Sequence, residues 1–561
     1  MEQSRLLIAI LLSLVVFLAW HFIFGSKEAE QQAAKKAAAP ATTQQQQPVK
    51  EQETPRRPEV QKPEAEKLAP VEEPAVESTA PQVARTLTVD TPLYQAKISE
   101  NGAIFYSFLL KKYHEEVQKD SPLKQILTDN EAAGVGRMGF FGKSIAGLEN
   151  AVFVADLTSD QLQITNDPRE ITFLWRSPDG VAVEKTYQFV PDSYVVGLEV
   201  TVKNGSGRSI QDRFFVALNG MAPKVKSRYG FEGPSAYINN KLKEIAVKKI
   251  KDKSTFDGNI SWIALQSRYF MSGLIPDQIE DSSLHLAEES GDILNARYLQ
   301  AEKAIQPGTQ YTYKYRLYMG PKSMQQLKKV GNHLDKLINF GMFDFIAKPC
   351  VWLMNLFYSV IPNYGVAIII LTLLVKLILW PLGTKSYKSM SEMKKLQPLM
   401  KEIREKYKND KKKMNEEIMG LYRTYKINPL GGCLPMVVQL PVFFALYRML
   451  YEAIELRHAP FFLWINDLSA PDRLFHFNFS IPFMQPPYGI PVLTLIMGAT
   501  MLLQQKMSPP MGDAAQAKMM MFMPLVFTVI FINFSSGLVL YWLTNNILSI
   551  AQQYYTQKKF A

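Results

Sequence analysis

The chain has 561 residues, a formal net charge of +11 and a hydrophobic fraction of 47%. Its two cysteines and six histidines lack the spacing of metal ligands or of a disulfide framework, which argues against metal and redox chemistry and predicts no cofactor. The positive charge indicates an anionic partner, either a membrane surface or a nucleic acid.

The N-terminal segment, residues 1–25, is an apolar run long enough to cross a membrane. It ends in aromatic residues, and it is longer than the apolar core of a cleaved signal peptide, so we expect a retained anchor. Residues 26–84 are rich in Ala, Gln, Pro, Glu and Lys and contain no aromatic residue. This composition predicts a disordered linker, because too little apolar surface is available to offset the entropy of folding.

Residues 85–340 show the two-residue period of half-buried strands, clearest at Val196, Leu198, Val200 and Val202. Turn signals separate the strands, and no helical pattern alternates with them. We therefore predict a large antiparallel β-sandwich, which a helix beginning near Ser323 closes.

Residues 341–362 are apolar but interrupted by polar side chains, so they form either an interfacial amphipathic helix or the start of the next span. The breaker Pro362-Asn363-Tyr364-Gly365 favours the interfacial helix. Residues 363–383 then form an apolar helix that carries Lys376. A charge inside a bilayer is expensive, so this lysine either snorkels toward the interface near Trp380 or faces a hydrated cavity.

Residues 384–428 are strongly basic, which places them in the cytoplasm by the positive-inside rule. Apolar residues recur at helical spacing on both sides of Asn409-Asp410 and predict a hairpin of two amphipathic helices, bent near Pro398. Its charges either set topology alone or also contact anionic lipid or ribosomal RNA. The candidate contact residues are Lys394, Lys395, Arg404, Lys411, Lys412 and Lys413.

Four further spans are predicted at residues 429–456, 488–506, 519–535 and 537–556. Residues 457–487 form an external loop without lysine, and residues 507–518 and 557–561 lie in the cytoplasm. This gives six transmembrane helices, with both termini inside and the β domain outside. Polar residues within the spans either join helices by hydrogen bonds or line a cavity: Thr372, Lys376, Gln439, Asn533, Thr544, Asn545, Asn546 and Ser549.

Three long motifs identify a family resemblance. Residues Lys426–Tyr447, Ala459–Ser469 and Phe522–Trp542 resemble the Oxa-type membrane protein insertases, in the Gram-negative form with a large periplasmic domain. The resemblance is close from about Phe343 to Gln557 and weaker in the N-terminal part. It implies a five-helix insertase core, a periplasmic β-supersandwich and a location in the bacterial inner membrane.

The resemblance also implies a hydrophilic groove with one positive charge, which matches Lys376. Gram-negative members usually have arginine there, and a desolvated lysine, unlike arginine, can lose its proton. The other implied groove residues are Thr372, Gln439, Tyr541, Trp542 and Asn545.

The implied function is insertion and chaperoning of nascent membrane proteins, without enzymatic chemistry. The implied partners are nascent membrane proteins, the Sec translocon (SecYEG and SecDF), the translating ribosome and membrane lipids. A polytopic transporter or channel is the alternative, since it also needs intramembrane charge, although no internal repeat supports it. A sugar-processing role of the β domain lacks a diagnostic acid/base motif.

Overall fold

The computed structural model describes residues 84–118, 120–223, 230–289, 292–425, 434–508 and 514–560. The predicted anchor at residues 1–25 and the linker up to residue 83 lie outside the described residues. So do the glycine-containing segment 426–433 and the centre of the predicted cytoplasmic loop, residues 509–513.

The N-terminal half is built of strands. They are β1 Thr86–Asp90, β2 Tyr94–Ser99, β3 Ile104–His114, β4 Leu123–Gln125, β5 Val135–Phe140, β6 Val154–Ala155, β7 Gln161–Gln163, β8 Arg169–Arg176, β9 Val181–Phe189, β10 Val195–Asn204, β11 Ile210–Asp212, β12 Phe214–Met221, β13 Gly233–Ile238, β14 Lys241–Glu244, β15 Thr255–Gln266, β16 Phe270–Pro276, β17 Asp281–Glu289, β18 Ile293–Leu299, β19 Lys303–Ile305 and β20 Gln310–Pro321. A short hairpin, β21 Leu474–Phe477 and β22 Tyr488–Ile490, lies between two later helices.

The strands form a sandwich-like β domain with a shared apolar core. One layer has the order β6-β8-β9-β10-β20-β16-β15-β13-β14, and the other runs β7-β1-β2-β3-β5-β12-β18-β17-β15. Strand β15 belongs to both layers, because its first half pairs with β17 and its second half with β13 and β16. The alternating pattern of β10 is buried as predicted, with Val196, Leu198, Val200 and Val202 at most 2% exposed.

The remainder of the described chain is helical. The helices are α1 Met324–Val330, α2 Asp344–Val360, α3 Tyr364–Lys395, α4 Gln397–Lys406, α5 Lys411–Thr424, α6 Leu434–Glu452, α7 Val492–Met507, α8 Ala514–Phe531 and α9 Ser536–Phe560. Helix α9 packs along both α3 and α7, and α8 packs along α7.

Helix α3 begins where the sequence places a breaker. The Asn363 side chain accepts a hydrogen bond from Val366 N at 3.1 Å, which satisfies one free amide of the first turn. The helix continues through Pro381 to Lys395, well beyond the apolar segment. Within the described residues α3 is the one helix whose length and composition suffice to cross a membrane, and Met519–Phe531 is a shorter apolar stretch. The six-span arrangement therefore stays a prediction.

Helices α4 and α5 form the basic hairpin. Pro398 lies in the first turn of α4, where its missing N–H removes no hydrogen bond, so the chain breaks at Leu396 rather than bending within a helix. The Asp410 side chain caps α5 by accepting from Lys413 N at 3.0 Å. Tyr422 and Met400 join the two helices through an O–S contact of 3.2 Å.

The β domain is fixed to the C-terminal end of α6 through arginine contacts. The Arg268 guanidinium stacks 3.6 Å from the centre of the Tyr451 ring and donates two hydrogen bonds to the Tyr451 carbonyl, at 2.9 and 2.7 Å. Arg457, just after α6, donates to the carbonyls of His114 and Glu115 at the end of β3. These cation–π and charge-assisted contacts limit rotation of the domain on the helices.

Helices α7 and α8 meet at Gly498. A Cβ added there would lie 2.3 Å from the Thr528 Oγ1, and that hydroxyl is held by a 2.8 Å bond to the Pro524 carbonyl. We expect Gly498→Val to separate the two helices and to lower thermal stability in detergent, because small residues allow helices to approach closely in membranes. Ala499→Val, on an exposed neighbouring position, is the matched control and should leave the melting temperature unchanged. Equal melting temperatures for the two variants would contradict this close approach.

Candidate functional site around Lys376

Lys376 has a polar partner on α9. It lies twelve residues after Tyr364, about 18 Å along the helix axis, which is past the midpoint of a hydrocarbon layer about 30 Å thick. Its Nζ donates to the Ser549 Oγ at 2.7 Å, and the same hydroxyl donates to the Asn545 carbonyl at 2.7 Å. The lysine is therefore directed at α9, and this contact distinguishes its position from simple snorkelling toward Trp380.

Polar side chains follow the inner face of α9 for three turns. Gln552 donates to the Trp380 carbonyl on α3 at 2.9 Å, while Gln553 approaches the Ser508 hydroxyl just after α7 at 3.4 Å. Asn546 lies 3.3 Å from the Thr500 hydroxyl of α7. These side chains are spaced three or four residues apart, so they form one polar strip between α3 and α7. We call this set, Asn545, Asn546, Ser549, Gln552, Gln553 and Thr556, the polar strip.

Several atoms of the polar strip are buried without a hydrogen-bond partner among the described residues. They are the Oε1 atoms of Gln552 and Gln553 and the Oγ1 of Thr556. All three side chains are at most 1% exposed. Buried polar groups are normally paired with protein or with ordered water. These three acceptors therefore lack the partner that buried polar groups normally have, and water or a polar group of another chain would supply it.

Gln439 and Tyr541 form a second polar contact. The two side chains hydrogen-bond between α6 and α9, and Tyr541 is only 2% exposed. Trp542, the next residue, instead packs among apolar rings, 4.7 Å from Phe443 and 5.1 Å from Phe531. The two neighbours thus have different surroundings, as their separation of about 100° on a helix requires.

Thr372 forms its hydrogen bond within its own helix. Its Oγ1 donates to the Ile368 carbonyl one turn earlier at 2.6 Å, and the residue is 2% exposed. This bond satisfies its hydroxyl within α3. The structure thus brings Lys376 together with Asn545 through Ser549, and Gln439 together with Tyr541, whereas Thr372 makes no side-chain contact with these residues among its described hydrogen bonds.

The candidate basic residues lie at the opposite end of α3 from Asn363. Lys394 and Lys395 end α3, Arg404 is on α4, and Lys412 and Lys413 begin α5, where both are exposed. Lys411 is the first residue of α5. The Lys413 ammonium lies 5.5 Å from the Tyr407 ring centre, a cation–π distance.

Sequence reasoning missed part of this site. Gln552, Gln553 and Thr556 lie in the C-terminal part of α9, and Tyr387 on α3 has side-chain hydrogen bonds with Ser549 and Gln504. The polar residues from Asn545 to Thr556 recur at helical spacing, and this period could have revealed the polar strip. No sequence signal pairs Tyr387 with α9, because that contact depends on how the two helices are rotated.

A long apolar helix that carries a lysine, a second helix that offers it a polar strip, and a large β domain define the class, a helical membrane protein with a large β domain. The chain matches the family described as 60Kd inner membrane protein over residues 356–561 and the YidC periplasmic domain family over residues 86–353.

Relatives cover nearly the whole chain. Membrane protein insertase YidC of Syntrophus aciditrophicus is 42% identical over 84% of this chain and 85% of the relative. That of Oleidesulfovibrio alaskensis is 38% identical over 100% of both chains. The chain therefore belongs to the YidC family of membrane protein insertases, which confirms the resemblance inferred from the three motifs and favours it over the transporter alternative.

Two solved structures are also similar. A crystal structure of an active YidC insertase with its first transmembrane domain resolved aligns at 20% identity and a TM-score of 0.37, over 84% of this chain and 93% of that one. A galactose mutarotase related enzyme from Lactobacillus acidophilus aligns at 12% identity and a TM-score of 0.31, over 42% of this chain and 97% of the enzyme. The assignment of the chain to its family rests on the sequence relatives, which are insertases and not enzymes.

Proposed function

We propose that this protein inserts nascent proteins into the bacterial inner membrane through a polar groove, in which Lys376 supplies the positive charge. The observation that carries this proposal is the contact between Lys376 and the polar strip of α9, with its unpaired buried acceptors. Polar groups of a client that enter this space exchange water for these side chains, which lowers the cost of bringing them to membrane depth.

This arrangement assists most the insertion of a client that has a short acidic external tail. Its carboxylates approach the Lys376 ammonium, while its apolar segment leaves sideways into lipid along the third and fifth spans. No covalent bond changes, so the protein needs no catalytic residue. The Gln439–Tyr541 contact between α6 and α9 lies on the route that the client takes.

The proposed topology has six spans with both termini in the cytoplasm. Two basic segments support this topology, the α4–α5 hairpin and Lys558-Lys559 at the end of α9. Segments rich in Lys and Arg remain on the cytoplasmic side by the positive-inside rule. The β domain then lies in the periplasm. The basic hairpin is placed to meet the translating ribosome or anionic lipid, and the Sec translocon, SecYEG with SecDF, is a further proposed partner.

Site-specific photocrosslinking to a ribosome-stalled nascent membrane protein tests the groove. We expect a crosslinker at Gln439, Tyr541 or Lys376 to capture the nascent chain, because these positions face the groove. A crosslinker at Ile378 is the control, since this residue is 68% exposed and points about 200° away from Lys376 on the same helix. Equal capture from Ile378 and from the groove positions, or capture from Ile378 alone, would reject the groove.

A further inference from the structure

The external loop between α6 and α7 carries an unusual set of exposed apolar side chains. Phe475 is 68% exposed, Phe479 63% and Phe483 81%, all in or beside the β21–β22 hairpin. Phe462 and Leu463, earlier in the loop, are 56% and 86% exposed. Residues 474–490 contain no Asp, Glu, Lys or Arg. We call these five side chains the apolar rim.

Backbone strain accompanies this exposure. Leu463, Phe475 and Phe483 have φ values of +58°, +53° and +65°. Bulky residues rarely adopt the left-handed region, and glycine or asparagine would adopt it at lower cost. In water, large apolar residues at these strained backbone positions would gain neither from packing nor from conformation, so the three exposed side chains point to contact with another apolar phase.

The loop that carries the apolar rim is held rigidly at the helix ends. Arg473, 8% exposed, donates to the Pro487 carbonyl at 3.0 Å and to the Ile532 carbonyl after α8 at 2.8 Å. Asn533, in the turn between α8 and α9, donates to the Phe483 carbonyl at 2.7 Å and accepts from Gln485 N at 2.8 Å. These bonds fix the tip of the hairpin beside the α8–α9 turn.

Two further contacts fix the position of the loop along the axes of the helices. The Asp472 carboxylate accepts from Leu493 N at 2.8 Å in the first turn of α7. The Phe461 ring packs directly on Gly365 in the first turn of α3, where an added Cβ would overlap it. The loop therefore lies at the level where α3, α7 and α9 begin and α8 ends.

We infer that the apolar rim inserts into the outer leaflet of the membrane, at the boundary between headgroups and acyl chains. This inference rests on the proposed topology, in which these helix ends are external. Exposed apolar residues of the adjoining helix turns, Leu495 and Ile496 on α7 and Ile530 on α8, continue the same apolar surface into the bundle. An uncharged, aromatic segment at this depth gains by transfer from water to the interface. Lipid is thus the occupant that the position, the charge and the continuity of the surface favour.

Spin labels placed one at a time at positions 475, 479 and 483 test the inference. The full chain, with Cys350 and Cys433 replaced by alanine, is reconstituted in vesicles of phosphatidylethanolamine and phosphatidylglycerol. We expect collisions with oxygen, relative to those with a water-soluble nickel complex, to be several-fold more frequent at these positions than at Asp179→Cys. Asp179 is an exposed residue near the Asn204 end of β10, remote from the helices.

The result separates the possible occupants. Access to the nickel complex equal to that of the Asp179 label would place the apolar rim in water and overturn the inference. Protection from both reagents would indicate a protein partner, a client or a second copy, and would overturn it equally. Melting temperatures of the labelled proteins check that they are folded. No client is present, so failure here leaves the role of Lys376 untouched, and an insertion assay of Lys376→Ala in the same vesicles tests that role separately.

Discussion

Lys376→Ala is expected to insert clients with acidic external tails roughly ten- to a hundredfold more slowly than the unchanged protein, which corresponds to about 1.4 to 3 kcal/mol. The variant removes the charge that faces the polar strip, so the client's carboxylates lose their counterion at membrane depth. Folding should be unaffected, because the partner hydroxyl of Ser549 keeps its bond to the Asn545 carbonyl. Insertion into vesicles, measured as protease protection of the client tail, gives the rate.

Three comparisons make this result specific. Lys376→Arg should retain activity, because arginine supplies the same charge with more donors. Lys376→Met keeps the length and apolar stem of the side chain, so it should fail as alanine does. A client with a neutral tail should be affected much less. Normal insertion of an acidic-tailed client by Lys376→Ala would refute the proposed role of this charge.

Lys185→Met is expected to destabilise the β domain by about 3 kcal/mol or more. Lys185 is fully buried, and its Nζ donates to the carbonyls of Gly102, Ala103 and Gly136 at 3.0, 2.8 and 2.6 Å. It thereby joins β9 of one layer to the turn after β2 and the start of β5 in the other. Methionine fills a similar volume but removes the Lys185 donor from the buried carbonyls of Gly102 and Gly136, while the Ala103 carbonyl keeps its bond from the Tyr187 hydroxyl.

The control for this variant is Lys203→Met on the neighbouring strand β10. Lys203 is 31% exposed and pairs with Glu184 at 2.6 Å, and exposed ion pairs contribute less than about 1 kcal/mol. Unfolding of the full chain in detergent, followed by tryptophan fluorescence to which Trp175 and Trp262 of the β domain contribute, compares the two variants. Equal stability of the two variants would show that Lys185 does not tie the layers together.

Because of Lys185, we also expect the stability of the β domain to depend on pH in the alkaline range. Burial lowers the pKa of Lys185 well below its ordinary value of 10.5, and the nearby Arg137 charge lowers it further. Between the lowered pKa and 10.5 the unfolded chain binds more protons at this residue than the folded chain, so its contribution to stability rises with pH. Lys185→Met should lack this rise, which unfolding curves at several alkaline pH values would show.

Much of the architecture could be predicted from the sequence because it depends on local period. The two-residue alternation of β10 predicted its buried face, and the apolar run with its Asn363 breaker predicted where α3 begins. The end of α3 could not be predicted in the same way. Residues 384–395 are polar enough to suggest a separate cytoplasmic helix, yet the backbone continues helically to Lys395, because apolar residues such as Met390 and Met393 pack on one face while the lysines remain exposed.

The sequence by itself determined that an apolar helix carries a lysine and that basic residues follow it, because these properties depend on residue type and spacing alone. The resemblance of three long motifs to the insertases indicated the family. Only the tertiary structure decided that Lys376 meets Ser549, that Thr372 is satisfied within its own helix, and that the polar strip of α9 lies between α3 and α7. The physical reason is that a helical period shows which residues share a face, whereas the partner of that face depends on how neighbouring helices are rotated when they pack.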